Sequence, residues 1–327
     1  MIELYAYQAV KTITRERWIL IAYQVISLIA FAYILYGFSQ FDRKIGQNAQ
    51  SLFTIGLFLL MLVPKLLIAV ILLGEDIFRM FSTILTYFTQ ADSLKEAIPE
   101  RRKFISQIAL GIAAIPFTSL LYGMTKGKYN FKVIHQTLFF PDLPDSFDGM
   151  TITQFSDVHS GSFDNPEKIQ YAVDLINEQK SDVILFTGDI VNTHATEMHP
   201  WIDTFKGIHN PKFGKFSVLG NHDYGEYIDW KSQTEKQANF EGIKAIHDKI
   251  DFKLLLNEHV KIKKDNQELA VVGVENWGRK FGERGDLNLA SQGLNKEDFK
   301  IVMSHDPSHW DEKIQHDDNH YHLTLSG

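Results

Sequence analysis

The sequence predicts two unlike halves, an α-helical membrane region over residues 1–125 followed by an α/β domain from about residue 130. Three observations predict this. Long uncharged apolar stretches are confined to the first 125 residues, short apolar runs alternate with helical periodicity beyond them, and those short runs repeatedly end in Asp, His or Asn. The mean hydropathy of −0.13 averages over these two compositions. At 327 residues the chain has room for both units.

Trp18–Phe41 and Phe104–Thr125 carry no charge, and Ser51–Gly74 carries only Lys65. Each exceeds the roughly 20 residues that cross a hydrocarbon core at about 1.5 Å per residue, so spans are expected at about 18–41, 51–74 and 104–125. A single such stretch could be a buried core helix; three in succession are not. Lys65 follows Pro64 inside the second span, where an ionisable group marks either a functional site or a snorkelling side chain. Phe78, Phe81, Ile84, Leu85 and Phe88 recur at helical spacing, which predicts an amphipathic helix over 75–90. Residues 2–10 are apolar and read as the tail of a further span or as an interfacial segment.

Basic residues set the orientation. Lys11, Arg15, Arg17, Arg79, Lys95, Arg101, Arg102 and Lys103 fall on one side, and Arg43, Lys44, Lys126, Lys128 and Lys132 on the other. Eight against five places the first group in the cytoplasm and the C-terminal domain outside it, at the cell membrane. Glu100–Ile105 (ERRKFI) resembles a twin-arginine export signal; the alternative is a positive anchor flanking the span, and both give the same side.

Composition excludes several chemistries. A net charge of −7 with dispersed Lys and Arg offers no basic surface for nucleic acid. With no cysteine there are no disulfides, thiolate metal sites or cysteine nucleophiles, so a transition-metal site must use His, Asp, Glu or Asn.

Residues 126–149 read as linker and first strand, and 150–327 as the α/β domain. Asn165 reads as an N-cap with Pro166 at the first helical position, and Ile169, Ala172, Val173 and Ile176 give that helix one apolar face to about Lys180. A longer helix over roughly 233–250 turns Ile243, Ile246 and Ile250 inward. Strands are expected at Thr151–Phe155, Val183–Phe186, Phe216–Leu219, Leu269–Val274, Lys300–Met303 and Leu323–Leu325. The first ends in Asp157-Val158-His159, the second in Gly188-Asp189-Ile190-Val191-Asn192, the third in Gly220-Asn221-His222-Asp223 and the fifth in Ser304-His305. Carboxylate and imidazole delivered from separate, rigid strand ends to one sheet edge is what a metal cluster requires.

The series Asp-x-His, Gly-Asp, Gly-Asn-His-Asp and Ser-His resembles that of the calcineurin-like metallophosphoesterase superfamily over about 150–327, and the preceding spans resemble its membrane-anchored branch. The resemblance implies a β-sandwich flanked by helices. It implies two divalent ions (Mn, Fe or Zn), with Asp157 and His159 on the first, Asp189 bridging, and Asn221 and His305 on the second. His222 then matches the catalytic histidine. Asn192 stands where the family often has an Asp that orients that histidine; its amide can still accept the imidazole N–H, and Asp223 could supply the missing carboxylate. The family's last motif, Gly-His-x-His, is represented only by Gly327, so residues 1–327 alone are expected to bind metal poorly and to be inactive. His320 and His322 have the same one-residue gap but precede their strand, and read as surface or strand-edge residues.

Such a centre would activate a shared water and clamp a phosphoryl group, with His222 as general acid. Tyr224, Asn276 and Trp277 are the expected substrate contacts. The expected partners are membrane lipids and a phosphate-ester substrate, including a lipid-linked phosphate or pyrophosphate. Members of the resembling group hydrolyse UDP-2,3-diacylglucosamine, although an external domain could not reach that cytoplasmic lipid. The reading from a different class is a non-catalytic metal-binding sensor.

Overall fold

The computed structural model describes residues 1–42, 44–89 and 98–327. Arg43, Gln90 and Lys95 of the sequence expectations lie outside them. The chain divides into two compact units, residues 1–41 with 50–131, and residues 42–49 with 132–327.

The first unit is helical: α1 (Ile2–Ile13), α2 (Arg17–Ser39), α3 (Ala49–Thr89) and α4 (Ile98–Thr125). Three of these are long and apolar enough to cross a membrane. Their outward faces carry Ile29, Phe31, Val70 and Ile115 at 63%, 59%, 60% and 67% exposure, a surface that suits lipid and not water. Inside, the small residues Ala6, Ala9, Ala109 and Ala113 pack with Ile68 and Leu72, and small side chains let helix backbones approach closely. The apolar residues 2–10 thus form a helix of their own, packed on α4 and α2. Lys65 donates to Glu3 Oε2 at 2.7 Å and to Ser27 Oγ at 2.9 Å, so its charge is paired inside the bundle. The second span and the amphipathic segment are one continuous helix, α3, which runs through Pro64 without a break. Arg102 donates to Asp76 Oδ1 (2.7 Å) and Gln8 Oε1 (2.8 Å), and the Arg101 guanidinium lies 4.2 Å from the Phe78 ring centroid.

The second unit is built on two sheets. The first comprises β1 (Ile152–Phe155), β2 (Val183–Phe186), β3 (Lys215–Ser217) and β4 (Lys253–Leu254), all parallel and in that order. The second comprises β5 (Glu258–Lys264), β6 (Gln267–Gly273), β9 (Lys300–Met303) and β10 (Leu323–Leu325), in the order β10-β9-β6-β5. Only β5 is antiparallel there, paired with β6. A short hairpin of β7 (Trp277–Gly278) and β8 (Gly282–Glu283) lies between β6 and β9 in sequence.

Val183, Leu185, Phe216 and Val218 of the first sheet and its β3 extension share one core cluster with Ile262, Leu269, Val271, Ile301 and Met303 of the second, so the sheets face each other. This is a sandwich, and period-2 alternation sends Ile184 and Phe186 to the opposite face. That face is covered by α7 (Gln233–Lys249), whose His247 ring stacks 5.9 Å from Phe186. α5 (Pro166–Glu178) and α6 (Ile202–Lys206) pack on one another, and Asn165 caps α5 by accepting from Lys168 N. α8 (Leu287–Ala290) contributes to a second cluster with Ala270, Val272 and Val302, and α9 (Ser308–Glu312) follows β9. The strands expected at Val183–Phe186, Lys300–Met303 and Leu323–Leu325 are present as such, while those expected at Thr151–Phe155, Phe216–Leu219 and Leu269–Val274 fall at Ile152–Phe155, Lys215–Ser217 and Gln267–Gly273. β5 is an addition: its Lys-rich, alternating sequence is that of an edge strand.

Candidate metal centre

Parallel strands deliver their C-terminal ends to one edge, and four of them, β1, β2, β3 and β9, carry the chain into the candidate site. After β1, the backbone of Asp157, His159 and Ser160 donates to Gly188 O, Asp189 O and Ile190 O at 3.0, 3.0 and 3.1 Å. The first two loops are thereby zipped together main chain to main chain. Asp157, His159 and Asp189 all have positive φ (54°, 45° and 59°), a conformation that costs an L-residue of order 1 kcal/mol or more and clusters at functional sites. Three of the five predicted ligands are therefore held in strained backbone. Gly188 permits the crossing of the next loop, because a Cβ there would sit 2.5 Å from Gly220 N.

The third loop is fixed by Asp223. Its fully buried carboxylate accepts from Gly220 N (2.9 Å), Asp189 N (3.0 Å), Ile190 N (3.0 Å) and Val191 N (3.4 Å). It makes no hydrogen bond to His222 among these, so it clips two loops together and does not act as the histidine's carboxylate. Burial, then the charge of Asp189, push its pKa above the usual carboxylate range against the pull of those N–H donors.

Around Asp189, which is 2% exposed, Asp157, His159 and His305 of the predicted ligands converge. Its Oδ2 lies 3.5 Å from His159 Nε2 and 3.3 Å from His305 Nε2, and Asp157 Oδ1 is 3.6 Å from His159 Nε2. Two groups have ligand atoms within 4.8 Å of one another: His159, Asp189 and His222, and Asp157, Asp189 and His305. Asp189 is common to both. His305 Nδ1 donates to Thr187 O at 2.8 Å, which turns Nε2 toward Asp189 and the candidate site, the usual way an imidazole is oriented toward a metal. Burial alone would lower the His305 pKa, but the hydrogen bond and charge of Asp189 raise it to about 9. His159 is raised for the same reason, by Asp157 and Asp189 against its burial. A site that draws protons onto two imidazoles concentrates negative potential, and oxygen and nitrogen donors there fit a divalent transition ion. Asn221 donates its amide N–H to Tyr227 Oη at 2.5 Å, which leaves the amide oxygen for a cation.

His222 is held differently from the sequence expectation. Its Nδ1 donates to the backbone carbonyl of Asn192 at 2.7 Å, not to the Asn192 side chain. That side chain donates instead to Ser162 Oγ (3.0 Å) and Gln47 O (3.2 Å). The His222 backbone N–H donates to Asp189 Oδ1 (2.9 Å), and its ring lies 4.8 Å from that of His159.

The structure does not bring Tyr224 and Asn276 to this edge. Tyr224 is 5% exposed and donates to Glu275 Oε1, and Asn276 is fully buried with its amide on Phe281 O. Trp277 stacks on His309 and lines a separate cavity of about 550 Å³ with Arg284, Lys313 and His316; none of the predicted ligands lines it. The residue sequence reasoning missed is Tyr227, half-exposed, its ring centroid 4.5 Å from that of His222. Its position five residues after His222 in the same loop was the available signal.

Residues 150–327 match the model of the family described as calcineurin-like phosphoesterase, and residues 1–128 match that of a probable calcineurin-like phosphoesterase transmembrane domain. The chain belongs to the calcineurin-like phosphoesterase family. It is similar to the zebrafish (Danio rerio) transmembrane protein with metallophosphoesterase domain, at 23% identity over 67% of this chain and 48% of that protein. It is also similar to two uncharacterized metallophosphoesterases of Bacillus subtilis: YkoQ, at 24% over 67% of this chain and 75% of the relative, and YkuE, at 40% over 26% and 30%. The chain thus spans about half the length of the zebrafish relative. Membership and geometry together make this a membrane phosphoesterase-family protein with a candidate divalent-metal centre.

Proposed function

We propose that this protein is a membrane-anchored, metal-dependent phosphoesterase that uses two divalent ions at the Asp189 edge. The single observation that carries this is one buried carboxylate, Asp189, shared by two ligand groups assembled from four strand ends. Asp157, His159, Asp189, Asn221 and His305 would hold the ions (Mn, Fe or Zn). Bound there, the ions supply a water of lowered pKa and neutralise charge on the phosphoryl oxygens.

The chain's own residues do the rest. His222, with Nδ1–H committed to the Asn192 carbonyl, presents Nε2 to the leaving oxygen as general acid or as a stabiliser of the developing charge. Asp223 keeps the Asp189 and Asn221–His222 loops in register. The substrate is an ester or pyrophosphate close to the bilayer, such as a lipid-linked phosphate, because the membrane unit keeps the domain there. The basic-residue count favours an extracytoplasmic domain at the cell membrane. With Arg102 paired to Asp76, we read Arg101–Arg102 as a positive anchor.

The test is metal-reconstituted full-length protein assayed against phosphomonoesters, phosphodiesters and nucleotide-lipid pyrophosphates. Hydrolysis of one class is expected, with His222→Ala retaining metal and losing turnover. Metal binding without turnover of any class would favour the sensor reading.

A further inference from the structure

We propose that Glu197 is a positioning residue for His222, acting through the Asn192–Thr193 peptide. This rests on the reading of His222 given above. Glu197 lies in the short helical turn Ala195–Trp201 that follows the Asp189 loop. Its Oε2 accepts from Asn192 N at 2.6 Å and from Thr193 N at 3.4 Å, and its Oε1 accepts from His194 N at 2.9 Å. Asn192 C=O and Thr193 N–H belong to one peptide plane. On one side that plane donates through Thr193 N–H to Glu197 Oε2 at 3.4 Å, an oxygen already anchored by the shorter bond from Asn192 N–H of the preceding peptide; on the other its carbonyl accepts from His222 Nδ1–H at 2.7 Å and from the Thr193 hydroxyl at 2.7 Å.

Hydrogen bonds in series polarise one another, and an ionised end strengthens the whole chain. A carboxylate on the N–H of a peptide makes its carbonyl a better acceptor. The series Glu197–peptide–His222 therefore does by relay what a carboxylate directly on the imidazole would do: it fixes the ring's orientation and the Nδ1–H tautomer. The Asn192 side chain is occupied by Ser162 and Gln47, and Asp223 by four backbone N–H groups, so neither is available for that work. Gly161 leaves room for the arrangement, since a Cβ there would collide with Glu197 Oε2.

Glu197 also caps its own helical turn through the His194 backbone, and the experiment must separate the two roles. Full-length protein labelled with ¹⁵N-histidine is compared as wild type, Glu197→Gln, Glu197→Asp and Asp286→Ala, the last removing an unrelated helix cap at Leu289 N. Wild type is expected to show His222 protonated at Nδ1 with a downfield proton. Glu197→Gln, which keeps a capping oxygen but not the charge, should move that resonance upfield. In the metal-loaded enzyme its kcat should fall about tenfold at unchanged KM, the fold-change carried by one charge-assisted hydrogen bond. The loss should grow with leaving-group basicity, as for His222→Ala. Glu197→Asp should fall between, and decides the matter if the glutamine variant does not fold. Asp286→Ala should lower stability and leave the His222 resonance alone. An unmoved His222 resonance in the Glu197 variants, or a stability loss alone, overturns the proposal. Because the resonance is read without turnover, an inactive wild type would defeat the phosphoesterase reading while still deciding this one.

Discussion

The two ends of the parallel strands in the C-terminal unit use the same residue types for opposite purposes. At the C-terminal ends, His305 and His222 give their Nδ1–H to carbonyls, of Thr187 and Asn192, and so turn Nε2 away from the backbone. At the N-terminal end of β9 and β10, His322 Nδ1 accepts from the backbone N–H of Lys300 at 3.1 Å. Its Nε2 must then carry the proton, which it donates to Asp142 Oδ2 at 2.8 Å. Asp142, His320 and His322 form a third group with metal-ligand spacing, yet His322 has no lone pair to offer. Cations already occupy that end. Lys300 Nζ donates to Lys296 O, Asp298 O and His320 O, and Lys215 Nζ donates to Ile208 O and Ile250 O. Whether a histidine can ligate is thus decided by what the backbone offers its other nitrogen.

The sharpest way to break this contrast is Asp189→Asn. On the proposed two-ion reading it should abolish retention of both ions by the full-length protein and lower turnover by about 10³-fold or more, since such ions would supply several kcal/mol of charge stabilisation; metal content after dialysis and phosphatase assay check this. Retention of two ions would mean that the cation end has been misplaced. Asp223→Asn turns an acceptor into a donor against buried backbone N–H groups and should cost about 3 kcal/mol of stability, read by chemical denaturation in detergent. His222→Ala should retain metal while kcat falls at least about 10²-fold.

Buried imidazoles with no carboxylate partner extend the comparison to pH. Burial pushes His247 down to about 3 and His309 down to about 4, whereas His305 beside Asp189 is raised. The unfolded chain binds a proton at each near pH 6.5 and the folded chain does not. Stability from these two residues is therefore complete above about pH 6.5. It should fall by about 1.4 kcal/mol per pH unit for each histidine below that, until about pH 4 for His309 and about pH 3 for His247. Equilibrium unfolding of His247→Phe beside the parent over this range should show a shallower slope; equal slopes would remove His247 from the account. The smallest effect is expected at the other end of the strands, where His320→Ala should change stability by no more than about 0.5 kcal/mol and leave metal content unaltered.

Much of the site was legible because strand ends are local features. Asp157, His159, Asp189 and His305 each follow a run of apolar residues that burial forces into a strand, and parallel pairing then places the ends together. The spans were legible for a similar reason: length and apolarity are properties of a contiguous segment. The unbroken α3, the role of α1 in pairing Glu3 with Lys65, and the antiparallel β5 were not, because each depends on a partner element.

By itself, then, the sequence determined the order of the Asp- and His-bearing strand ends, the apolar spans and the family. Tertiary structure alone decided which atom each of those residues presents. Asn192 contributes its carbonyl and not its amide, Asp223 grips backbone and not His222, and Tyr227 rather than Tyr224 lies on the His222 ring. The physical reason is that a hydrogen-bond partner is chosen by proximity in space: the bonds that fix His222 and His305 reach across 30 and 118 residues of chain, and no local pattern encodes a partner that distant.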